Sequence, residues 1–209
     1  MGLFKRKRSK KRLNEDLSII SKEPLFLPKR KKEEYFEPHF SFKVILLGHS
    51  NLGKFDYLEK FGNSWFKANT KLSIGISFGI KEIKIEDINI KLQIWDLASE
   101  ERWRQMIPYY CRGALGAILM FEISDSETLH KLSRWVKIIR DNTDNVPIIL
   151  LGSSDDLNDT RQVTKEEGLD FVASEELNGY FECDILTGAN LENAFESLTK
   201  MIITKYEMK

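Results

Sequence analysis

The stretch ILLGHSNLGKF, residues 45–55, decides how the rest of the chain is read. An apolar run ends at Gly48, and Gly53 and Lys54 follow after four intervening residues. That is the start of a phosphate-binding loop, G-x-x-x-x-G-K-[ST]. Its glycines let backbone N–H groups turn toward phosphate oxygens, and its lysine adds charge at a helix N-terminus. The last position of the pattern calls for a hydroxyl that ligates Mg²⁺. Here it is Phe55, and a phenyl ring offers nothing to a hard cation that takes oxygen ligands.

Working outward, FKVILLG (42–48) is a continuous apolar run, the pattern of a strand buried on both faces. GAILMFEI (116–123) and VPIILLG (146–152) repeat it, and YFECDI (180–185) reads as a last strand. SFGIKEIKI (77–85) and NIKLQIWD (89–96) alternate apolar with polar residues and predict a hairpin turning near EDI. Helical patterns lie at 54–62, 126–142, 164–178 and 190–209. Thr164 is placed as an N-cap with Glu167 three residues on. Buried strands alternating with helices predict an α/β domain: a mostly parallel six-stranded sheet with helices on both faces. Ligands of such sheets bind outside the carboxyl ends of the strands. The chemistry is therefore expected at 48–55, 96–101, 152–157 and 183–188.

The 209 residues, 42% hydrophobic, suit one domain of about 170 residues with an appendage. A formal net charge of +0 hides an asymmetry. Residues 1–40 hold twelve Lys/Arg against six Asp/Glu, and the remainder holds twenty against twenty-six. The division expected is a basic extension over 1–40, disordered or a linker, and a folded domain over 41–209. KRKRSKKR (5–12) carries seven basic residues in eight and repels itself. Cys111 and Cys183 have neither metal-ligand spacing nor a disulfide framework, which favours a reducing, intracellular setting. No apolar run approaches the roughly 20 residues of a membrane span. The start MGLFKRKRSKKR lacks the apolar core of a secretory signal.

From about residue 41 to 208 the chain resembles the small GTPases of the Ras superfamily, and among them the Rab branch. FKVILLGHSNLGK, SIGISF, KLQIWD, ERWR and YYCRGALGAI carry the resemblance, in the family's order and spacing. It implies the P-loop small-GTPase fold, GTP or GDP as ligand, Mg²⁺ as cofactor, and switch segments that meet effector and regulator proteins. Carried over residue by residue, it places Gly48, Asn51, Gly53, Lys54 and Phe55 in the phosphate loop. Phe66 falls where the family sets an aromatic against guanine, and Ser73 where a hydroxyl binds Mg²⁺ and senses the γ-phosphate. The family's D-T-A-G-Q-E reads DLASEE. Asp96, which would hold Mg²⁺ through water, is kept. Ser99 replaces a glycine, and Glu100 replaces the glutamine that orients the attacking water. The family's N-K-x-D reads SSDD, so Ser153 stands for Asn, Ser154 for Lys, and Asp156 is kept. Its S-A-K reads DIL, with Asp184 able to cap a turn. Each buried hydrogen bond to a base left unmade costs about 1–3 kcal/mol, so guanine selectivity would rest mainly on Asp156.

These departures predict guanine-nucleotide binding with weakened Mg²⁺ coordination, through Ser73 and Asp96, and impaired or absent intrinsic hydrolysis. Two rivals stand beside that reading. One is a nucleotide-free pseudo-GTPase with Phe55 and Ile185 or Leu186 filling the pocket and Trp103 constitutively presented. The other is an active GTPase completed by a partner's arginine. The ending MIITKYEMK lacks the cysteines that Rab proteins prenylate, and Arg6 breaks the myristoylation pattern after Gly2. Residues 3–12 can instead touch an anionic membrane, whereas a dedicated nucleic-acid surface, which needs interleaved aromatics, is not expected.

Overall fold

The computed structural model describes residues 36–48, 75–98, 100–154, 161–185 and 187–207. The extension before residue 36 and the helix expected at 54–62 lie outside them. Six strands form one sheet: β1 (Phe40–Gly48), β2 (Ile76–Ile85), β3 (Ile88–Leu97), β4 (Gly116–Glu122), β5 (Ile148–Ser154) and β6 (Gly179–Asp184). Their order is β2-β3-β1-β4-β5-β6. β2 pairs antiparallel with β3 and every other pairing is parallel. The β2–β3 hairpin turns through Glu86 and Asp87, with Glu86 at φ 52°.

Among the described residues, five helices accompany the strands: α1 (Ile107–Cys111), α2 (Ser126–His130), α3 (Ser133–Asn142), α4 (Lys165–Ser174) and α5 (Leu191–Lys205). The period-2 geometry of a strand sends alternate residues to opposite layers. Ile45, Leu47, Leu119, Phe121 and Leu150 join Trp135, Val136 and Ile139 of α3 in one core. Val44, Leu46, Ile118, Met120 and Leu151 join Phe195, Leu198 and Ile202 of α5 in the other. Strands buried on both sides have no polar face to alternate, hence their continuous apolar sequence. Each such buried side chain contributes roughly 1.5–3 kcal/mol. The outer strand β2 is fastened to α5 by a polar contact: buried Lys81 donates to Glu192 at 2.6 Å. Among the described residues no helix is long and apolar enough to cross a membrane.

Several boundaries differ from the sequence expectation; the helix expected at 164–178, for one, runs only over Lys165–Ser174. The single helix expected at 126–142 is two, because Leu132 N–H bonds to Leu129 O at 2.9 Å, three residues back. The buried positions Leu129, Leu132 and Trp135 are spaced by three, and a locally tightened turn keeps such a stripe on one side. The last helix begins at Leu191, after Asn190 at φ 66°, and stops at Lys205. A short turn at Glu101–Trp103 and helix α1 occupy a stretch where periodicity showed no separate element.

α4 begins as its sequence dictates. Glu167 N–H donates to Thr164 Oγ1 at 3.2 Å, and Thr164 N–H donates to Glu167 Oε2 at 2.7 Å. Between the end of β5 and β6, Arg161 grips Glu182 with both guanidinium arms, each at 2.8 Å. Tyr180 donates its hydroxyl to the same carboxylate at 2.6 Å. The side chains of Arg161 and Glu182 are 26% and 11% exposed. Burial pushes the Glu182 carboxyl up, but the hydrogen bonds from Arg161 and Tyr180 and the Arg161 charge outweigh it and hold the group below its ordinary value.

Thr164→Ala should cost about 1 kcal/mol and lower the melting temperature by about 2–4 °C, with Thr164→Ser near wild type; unchanged melting of the alanine variant would contradict the cap's role. Because Glu182 is depressed in the folded state, its stabilisation is present above the unfolded carboxyl value of 4.5 and is lost as pH falls through the folded value beneath it. Urea unfolding from about pH 6 to about pH 3 should therefore show a decline that Glu182→Gln flattens. Parallel wild-type and variant curves would rule the group out.

Candidate functional site

The register of the parallel strands brings their carboxyl ends to one edge. Leu46 pairs with Asp96, Gly48 with Met120, Glu122 with Ser153, and Ser154 with Asp184. Gly48, Asp96, Ser153 and Asp184 are thus neighbours at the end of the sheet where the sequence placed its chemistry. Asn51, Gly53, Lys54, Phe55, Phe66, Ser73, Ser99, Asp156 and Leu186 lie outside the described residues.

Gly48 is set by close approach. A Cβ there would stand 2.5 Å from the Met120 carbonyl oxygen, so only glycine lets β1 lie against β4 where the chain leaves for the phosphate loop. Asp96 is buried, 6% exposed, at the end of β3. Its carboxylate offers the kind of oxygen a hard cation takes, which a phenyl side chain does not. The described residues contain no cluster of three or more His, Cys, Asp or Glu able to hold a metal.

Ser153 is 1% exposed, and its hydroxyl donates to the Phe121 carbonyl at 2.9 Å. A serine hydroxyl has one proton to donate, and this one is committed to holding β5 to β4. The Ser154 carbonyl accepts from Ile185 N–H at 2.8 Å. Asp184 Oδ1 accepts from Thr187 N–H at 3.1 Å, so Asp184 caps the turn leaving β6. Ile185 is half-buried against the α5 core.

Glu100 is exposed and its carboxylate is bound to Arg102 Nε at 2.6 Å. The Arg102 guanidinium lies 5.2 Å from the centre of the Trp103 ring. That ring is half-buried against Gly75, where a Cβ would fall 2.5 Å from it, and Gly75 has φ +66°. Ala98 N–H completes the contact by donating to Gly75 O at 2.9 Å. The segment leading into β2 and the segment leaving β3 are thereby joined at a position that admits only glycine without strain. Next to them, Met106 and Tyr109 are exposed, and Phe78, Trp95 and Tyr110 are partly buried over the core. Phe78 and Trp95 meet edge to face at 4.7 Å. Lys43 Nζ sits 3.7 Å over the Trp95 ring and donates to Arg112 O at 2.8 Å. Burial pushes the neighbouring Cys111 thiol up to about 11, so it stays protonated.

The sequence reading missed the Trp103–Gly75 contact and the Arg161–Tyr180–Glu182 network. A glycine before a strand was the one available signal for the first. For the second, charges 21 positions apart announce no partner in a single sequence.

Comparisons with known proteins follow the geometry. The family model described as Ras family matches residues 43–204. The chain is 36% identical over 173 residues to the Ras-related protein RABA2a of Arabidopsis thaliana, covering 82% of this chain and 78% of that protein. It is 37% identical over 167 residues to Rab11E of Lotus japonicus, covering 79% and 76%. It is 35% identical over 175 residues to Rab-11A of Dictyostelium discoideum, covering 83% and 80%. With the six-stranded sheet and its strand order, these matches identify the chain as a member of the Ras family, a Rab-like small GTPase by descent.

Proposed function

We propose that the protein is a guanine-nucleotide-binding switch of the Rab type whose intrinsic hydrolysis is impaired. Nucleotide would be held by Gly48, Asn51, Gly53 and Lys54 at the phosphates, Phe66 and Asp156 at the base, and Ser73 and Asp96 around a weakly held Mg²⁺. Ser99 and Ser153 stand at altered contact positions. The observation that carries impaired hydrolysis is the Glu100–Arg102 ion pair at 2.6 Å. The residue at the water-orienting position is an anion engaged by its own neighbour. A carboxylate there also repels a triphosphate, where a neutral amide would orient water.

The exposed Met106 and Tyr109, beside Trp103, Phe78, Trp95 and Tyr110, are the surface through which effector or regulator proteins would be met. A two-part organisation goes with this reading: a basic extension over 1–40 and a GTPase domain over 41–209, supported by the compact unit Phe36–Lys209. A nucleotide-free interaction module is the second reading. The Ser153 hydroxyl committed to Phe121 O and the half-buried Ile185 favour it.

Phe55→Ser combined with Glu100→Gln separates the two. An impaired switch should gain Mg²⁺-dependent GTP affinity by roughly tenfold or more, the order a single metal-site group contributes, together with measurable turnover. A double variant that gains neither would sink the switch reading in favour of the interaction module. Residues 3–12 are proposed to contact anionic membrane, at about 1 kcal/mol per basic residue near the surface. Sedimentation with phosphatidylserine vesicles should fall on deleting residues 1–12 and on adding salt; equal sedimentation with neutral vesicles would refute the contact.

A further inference from the structure

We infer that His39 and Asn89 form a pH-sensitive clasp, which fastens the chain entering β1 to the β2–β3 hairpin and releases it on acidification; this does not depend on the nucleotide reading above. Three hydrogen bonds build the clasp. His39 N–H donates to Asn89 O at 2.8 Å. Asn89 N–H donates in return to His39 Nδ1 at 2.8 Å. Asn89 Nδ2 donates to Glu37 O at 3.1 Å. Asn89 is the second residue of β3, just after the turn through Glu86 and Asp87. The residues leading into β1 are thereby joined to the base of a turn about fifty positions on.

The donor in the second of these bonds is a backbone N–H, which can only donate. The ring nitrogen that meets it is therefore the unprotonated one, and the ring is neutral with its proton on Nε2. An imidazolium carries hydrogen on both nitrogens, so a second proton turns Nδ1 from acceptor into donor. Two N–H groups then point at each other, and the Asn89 amide loses its partner. The clasp is closed while the ring is neutral and opens as pH falls and the ring takes up its second proton. His39 is exposed, so protons reach it without any opening of the fold.

Chain and register place five charged groups near this corner: Glu37 on the same segment, Lys84 opposite Asn89 on β2, Glu86 and Asp87 in the turn, and Lys91 farther along β3. Carboxylates and lysine amines ordinarily change charge outside the range of about pH 5–8, and histidine is the side chain that ordinarily does so within it. Three carboxylates against two amines give a protonated ring acceptors other than the one it has lost. Packing confines the opening. Phe40 is half-buried against the α5 core and stacks on Phe42 at 6.1 Å. From Phe40, paired with Ile90, the β1–β3 ladder runs backbone to backbone. The clasp thus governs Glu37 to His39 and leaves the sheet beyond it intact.

The test follows isotope-labelled full-length protein by nuclear magnetic resonance from about pH 8 to about pH 5. At the upper end the ring nitrogens of His39 should report the tautomer protonated on Nε2. As the ring titrates, the Asn89 amide signal should move with the same midpoint. Protection of that amide against hydrogen exchange, corrected for the intrinsic effect of pH, should fall roughly fivefold, while the Ile90 and Leu92 amides keep theirs. His39→Asn offers an amide oxygen that accepts without titrating, and should flatten the response. His39→Phe removes the acceptor and should hold Asn89 at its low protection at every pH. An Nδ1–H tautomer at the upper end, a His39 titration that leaves the Asn89 amide unmoved, or a pH response that survives in either variant would overturn the clasp.

Discussion

The parallel pairing of β1 with β3 and β4 is the constraint on which the rest of the molecule depends. Two layers of apolar side chains leave β1 no solvent face, so its backbone groups must be met by strands on either side. Parallel pairing then sends β1, β3, β4, β5 and β6 out through the same edge, and whatever binds there is assembled from loops distant in sequence. Gly48 shows how tight the arrangement is, because its backbone stands where any Cβ would press on Met120. Asp96 reaches the edge from β3, Ser153 from β5 and Asp184 from β6 by register alone.

At that edge, the substitutions that separate this chain from its family have structural uses. Ser153 ties β5 to β4, Asp184 caps a turn, and Glu100 pairs with Arg102. Each polar group found a partner in the fold, which lowers the cost of keeping it near a buried edge. The framework around them is stapled strongly: Lys81 ties β2 to α5, Trp103 packs on Gly75, and Glu182 gathers the ends of two loops. Among the described residues these contacts hold the carboxyl edge of the sheet together.

How much of this was legible in the sequence follows from the range of each interaction. β1, β4 and β5 were readable because burial on two faces leaves unbroken apolar runs, and the β2–β3 hairpin because one layer of it alternates. The Thr164 cap was readable because both partners lie within four residues. The break at Leu132 was not, since the residues on either side keep an amphipathic helical pattern and only packing around Leu129 and Trp135 tightens the turn. The partners of Ser153, Glu182 and Gly75 were also invisible, being 32, 21 and 28 positions away. The family resemblance supplied expected roles for the loops as a set, but not which side chains the fold would claim for itself.

The most direct measurement is the nucleotide content of freshly purified full-length protein, read by denaturing it and separating the released nucleotide by anion exchange. The account predicts near-stoichiometric guanine nucleotide, held by the phosphate loop despite Phe55. Protein that emerges empty, and whose melting temperature does not move in millimolar GTP with Mg²⁺, would contradict it and leave the domain as an interaction module built on a GTPase frame.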